Sequence, residues 1–116
     1  MIDYHGDLVT ALKTIGIDVH YEMTLTSKTT TPCVTYLEIG NVVENNGDTL
    51  GYSRIQYQIS IWANNISDIQ KYALKIDEVL RPLGWKRIGS AELYDNQSTM
   101  IHKALTYESL ALEQFN

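Results

Sequence analysis

The sequence predicts an α+β domain: a twisted, mainly antiparallel sheet of about four to five strands, with two packed helices and one long β-hairpin. Three observations predict it. Residues 52–62 alternate with period two, with Ile55, Tyr57, Ile59 and Ile61 on one side and Arg54, Gln56, Gln58 and Ser60 on the other. That is the pattern of a strand with one face on a core. A few residues later Ile69, Tyr72, Ala73, Ile76, Leu80 and Leu83 recur at helical spacing, as on an amphipathic helix. Further extended segments lie before and after, separated by turn-forming residues. At 116 residues the whole chain, 1–116, is expected to form a single domain.

Taken in order, residues 2–15 predict a first helix with Asp3 as N-cap. Tyr4, Leu8, Ala11, Leu12 and Ile15 fall on one face, and Gly16 is the expected left-handed stop. Residues 18–23 read as a short edge strand. Residues 24–32 are polar and threonine-rich, without a burial pattern; a loop of this length is either mobile or ordered by a partner, and both readings stay open. In residues 33–43, Cys33, Thr35, Leu37 and Ile39 alternate with Val34, Tyr36 and Glu38. Residues 44–51 contain Asn46-Gly47, a strong hairpin signal, in a connection longer than a two-residue turn. Eleven extended residues from Tyr52 would span ~35 Å at about 3.3 Å each, so the hairpin is expected to project past its own core. Ser67 with Gln70 fits a capping box for the second helix, which Pro82 and Gly84 end. Residues 85–94 form a fourth extended segment with a glycine, Gly89, that signals a bulge. A last strand runs from Met100 to about Leu110, followed by a short tail.

Composition excludes several functions. Fourteen acidic against nine basic residues give a net charge of −5, a poor basis for clamping a phosphate backbone. One cysteine cannot form an internal disulfide, which fits a reducing compartment. Neither a secretory segment nor a membrane span is expected. The histidines His5, His20 and His102 sit in three separate elements without metal-ligand spacing. Cys33 reads as a small buried apolar residue rather than a nucleophile, because no base and orienting group can be named with it. Asp77 and Arg81 read as an i,i+4 pair on the helix surface. Lys86 and Arg87 are adjacent on a strand, so they face opposite sides and form no patch. The chain is expected not to be an enzyme, and to use no cofactor or metal.

The order of the segments is more informative. Pro32-Cys-Val-Thr-Tyr36 is followed by Tyr57-Gln-Ile-Ser-Ile-Trp62, then by a capped helix ending in Ile76-Asp-Glu-Val-Leu80. Leu83-Gly-Trp-Lys-Arg87, Leu93-Tyr-Asp95 and His102-Lys-Ala-Leu-Thr-Tyr107 complete the series. Over residues ~30–108 this order resembles the small tail-completion proteins of long-tailed bacteriophages, also called tail terminators or tail-to-head joining proteins. The resemblance implies a structural virion protein, made in the host cytoplasm and located at the head-proximal end of the tail. It implies a homo-oligomeric, hexameric ring that stops tube polymerisation and meets both the tail tube protein and the head-completion or stopper (connector) protein. DNA would pass through the lumen without specific binding, and an acidic chain suits a lumen that must not grip it. Candidate assembly contacts are Thr24, Ser27, Lys28, Thr29, Thr30 and Thr31 in the first loop. Glu44, Asn45, Asn46, Gly47, Asp48, Tyr52 and Arg54 are the candidates in and beside the hairpin. Other readings are a head-completion or connector protein, and a small-molecule-binding domain with a cavity lined by Tyr57 and Trp62. A small hydrolase using Cys33 or a histidine is a further one.

Overall fold

The computed structural model describes residues 4–21, 31–45, 50–95 and 100–114. The first helix, α1 (Tyr4–Leu12), tightens into a 3-10 turn, Lys13–Ile15, and stops at Gly16 with φ 94°. A β-carbon is disfavoured in that left-handed conformation. Helical winding thus reaches Ile15, as predicted, but its last turn is 3-10; Asp3 lies outside the described residues. Leu8, Leu12 and Ile15 are buried, as their spacing predicts.

Five strands form one sheet in the order β1-β2-β3-β5-β4, where β1 is Asp18–Tyr21, β2 Cys33–Asn45, β3 Leu50–Ala63, β4 Lys86–Asp95 and β5 Met100–Gln114. Every pairing is antiparallel except β1 with β2. Between β3 and β4 runs α2 (Ile66–Leu80). β5 inserts between the two strands that α2 connects, so β3 is paired along its length on both sides.

The period-two reading of β3 holds. Ile55, Ile59 and Ile61 are wholly buried and Tyr57 is 1% exposed. They meet Leu8, Leu12, Ile69, Ala73, Ile76 and Leu80 from the two helices, with Leu105 and Tyr107 of β5 beside them, in one core. Ser60 lies on the opposite face, as expected, but is buried there. Across from it is Thr35, also buried, whose Oγ1 accepts a hydrogen bond from Trp62 Nε1 at 3.0 Å.

Four expectations need correction. The N-cap of α2 is Asn65, not Ser67: its Oδ1 accepts from the Asp68 amide at 2.8 Å. The helix begins at Ile66, which leaves Ser67 inside its first turn. Leu83 is 49% exposed, because the helix ends in a 3-10 turn, Arg81–Leu83, whose tighter winding carries residue 83 off the buried stripe. In β2, the alternation breaks at Ile39. The register slips between Glu38 and Gly40, so Gly40 and Val42 share the face of Leu37. Finally, residues 111–114 are not a tail. β5 continues to Gln114 because β3 starts at Leu50 and pairs with it throughout. The bulge expected at Gly89 is present, with a register shift between Arg87 and Gly89.

The molecule measures 52 × 24 × 23 Å. The helices cover only one end of the sheet's long axis. The other end is a three-stranded arm of β2 beyond Gly40, the first residues of β3 and the last of β5. The projecting hairpin is therefore real, and a third strand thickens it.

Candidate assembly surfaces

The residues with reactive groups are dispersed or occupied. His5 Nδ1 hydrogen-bonds the Tyr57 hydroxyl, and its ring meets Tyr36 edge-on. His102 stacks on Trp62 with centroids 3.9 Å apart. Cys33 is fully buried; burial pushes its thiol pKa up, and the charge of Asp18 adds to this. A thiolate is the reactive form, so native protein at mild alkaline pH is expected to resist Ellman's reagent. The thiol should react on unfolding, and rapid labelling of the folded chain would contradict the burial. Among the described residues no three His, Cys, Asp or Glu side chains cluster as metal ligands.

Burial also lowers the His102 pKa, and its Nε2 has no hydrogen-bond partner among the described residues. The unfolded chain protonates near 6.5, whereas folded His102 stays neutral to lower pH. Its contribution is therefore fully present above the unfolded pKa and is lost as pH falls below it. Wild type is expected to lose more thermal stability between pH 7.5 and 5.5 than His102→Phe, which keeps a ring against Trp62. Equal losses would remove His102 as a cause.

Asp77 does not pair with Arg81 as its spacing suggested. It accepts from the Tyr107 hydroxyl of β5 and pairs with Arg87 of β4 at 3.2 Å, tying α2 to two strands. Lys86 and Arg87 do diverge, as expected for neighbours on a strand. An aromatic-lined cavity is also not built: Tyr57 and Trp62 lie on opposite faces of β3. The recesses lie along α2. One of about 360 Å³ is lined by Leu74, Asp77, Glu78, Arg81 and Pro82.

The candidate contact residues divide by location. Thr24, Ser27, Lys28, Thr29, Thr30, Asn46, Gly47 and Asp48 lie outside the described residues. Thr31 is exposed before β2. Glu44, Asn45 and Tyr52 take backbone positions on the arm. Arg54 is there too, exposed, and pairs with Glu108 across β5 at 3.5 Å, while Gln56 donates to the same carboxylate. Two exposed apolar sets were not singled out from the sequence. Val42 (57% exposed) and Leu110 lie on the arm; Ile88, Leu93 and Tyr94 lie on β4. Their signal was apolar residues on both faces of one strand, which a single buried face does not explain.

No protein-family model matches the chain, and no curated protein matches it. Solved structures do. One chain, from a structure described as "Virion of native gene transfer agent (GTA) particle", is similar with a TM-score of 0.61 and 12% identity. The match covers 91% of this chain and 84% of that one. At this identity the likeness establishes a shared fold.

Proposed function

We propose that the chain is a structural virion protein of the tail-terminator type. In this reading it forms a ring, hexameric by the resemblance, at the head-proximal end of a tail tube. The ring ends tube growth and receives the head connector. The observation that carries this reading is the fold match to a chain of a virion particle over 91% of the length. The arm supports it, since a 52 Å long molecule with apolar Val42 and Leu110 exposed beyond its core has surface to offer neighbours. The net charge of −5 suits a passage that does not hold DNA.

The test is electron microscopy of the protein alone and mixed with tail-tube protein. Six-fold rings capping tubes are expected; persistent monomers that ignore tube ends would sink the reading. Substitutions in residues 24–31 and 44–51 are expected to abolish capping while leaving the circular dichroism spectrum and the melting temperature unchanged. If those variants cap tubes normally, these segments are not the contacts.

A further inference from the structure

We infer that β4 is a self-complementary docking edge through which two copies of this chain pair about a two-fold axis, joining their sheets into one of ten strands. Three observations carry this. First, β4 runs for ten residues, Lys86–Asp95, at the end of the strand order. It has β5 on one side, no strand on the other among the described residues, and no proline. Residues 86–94 are all exposed. Such an edge is a template for another strand. Second, it carries three exposed apolar side chains, Ile88, Leu93 and Tyr94, the last at 60%. Natural edges are usually blunted by brevity, charge or bulges; this one is long, its charges lie towards its ends, and the stretch 88–91 between them carries none.

Third, the sequence of the strand identifies the occupant. Basic residues open it, Lys86 and Arg87, and acidic residues close it, Glu92 and Asp95. An antiparallel second copy therefore brings each basic start beside the other's acidic end. The bulge keeps the faces in step. With Ile88 set aside, as it is against β5, nine residues remain, and Ala91 is the middle one. Centring the axis there places Ala91 opposite Ala91, Gly89 opposite Leu93 and Ser90 opposite Glu92. Arg87 takes the position across from Tyr94, and Lys86 the position across from Asp95. Every facing pair shares one side of the sheet. Each α2 lies over its own β3 and β5, so the two helices stay apart on the same face.

One strand's edge is a small contact, in the class of transient associations. It is also isologous, whereas a closed ring uses heterologous contacts. The pair is thus a separate state of the chain, and it stands or falls independently of the ring.

The experiment combines sedimentation over a concentration series with one cross-link. In a Cys33→Ala background, Ala91→Cys is expected to give a disulfide-linked dimer under mild oxidation. Facing Cα atoms ~4.5–5.5 Å apart are within disulfide reach. Ala91→Lys sets like charges face to face and is expected to weaken dimerisation several-fold, up to about fivefold. Mixing it with Ala91→Glu should restore a heterodimer. Circular dichroism confirms that the variants fold. Monomers at the highest concentration overturn the inference. So does association in which residue 91 fails to cross-link and Ala91→Lys has no effect. Neither result bears on whether rings cap tubes.

Discussion

Replacing Ile59 with alanine is expected to destabilise the fold by about 3–4 kcal/mol, the middle of the ~2–5 kcal/mol found when a large aliphatic side chain is removed from a filled core. Ile59 is wholly buried on the middle strand, with both helices contributing to the same cluster. The cost has two parts: the lost transfer of the side chain out of water, and the cavity that this well-tied site cannot close. Small domains are stable by only ~5–15 kcal/mol, so the loss is a large share of the total. Val42→Ala on the arm is the control. Val42 is mostly in solvent, and its truncation should change stability by less than about 0.5 kcal/mol. Denaturant titration of both variants checks this. Equal effects would mean that arm and core are not the distinct regions described above. If the arm makes assembly contacts, Val42→Ala should instead reduce tube capping.

The second large effect is expected at Asp77. Burial, followed by the hydrogen bond to Asp77, raises the Tyr107 pKa well above that of a free phenol, so Tyr107 remains a neutral donor. Asp77→Ala leaves that buried hydroxyl without its acceptor, and Arg87 without its partner. The half-exposed ion pair alone contributes little, at most ~1 kcal/mol. The unsatisfied hydroxyl costs ~1–3 kcal/mol. Together a loss of about 2–3 kcal/mol is expected. Tyr107→Phe should cost less, ~1–1.5 kcal/mol, because the carboxylate keeps Arg87 and reaches water. In the double variant the losses should not add, since one removal makes the other partner's bond moot. Additive losses in a chemical-denaturation cycle would show that the contact contributes nothing of its own.

What could be read from the chain follows from which signals were local. The face of β3 was legible because its period of two runs unbroken from Ile55 to Ile61. The caps at Gly16 and Gly84 were legible because left-handed φ values favour glycine. The end of β5 was not. Residues 110–114, Leu-Ala-Leu-Glu-Gln, are good helix formers, and only the partner strand β3 holds them extended. Local propensity yields to tertiary pairing in such cases. The slip at Ile39 was hidden because a bulge depends on the neighbouring strand and not on residue type. The same reason explains Asp77: its spacing to Arg81 is local, whereas Arg87 and Tyr107 arrive through the sheet. The exposed side of Arg54 was legible from the alternation of β3. The sequence could not show that an adjacent glutamate, Glu108, would engage it.

The uninterrupted pairing of β3 on both sides has a mechanical consequence. A force applied at the far end of the arm along the strands enters the core directly, with no hinge between. It loads the two ladders in shear, so that many backbone hydrogen bonds resist together instead of opening one after another. The weakest ladder under such a load is expected to be the short parallel one between β1 and β2, which pairs four residues of each strand and lies off the path through β3.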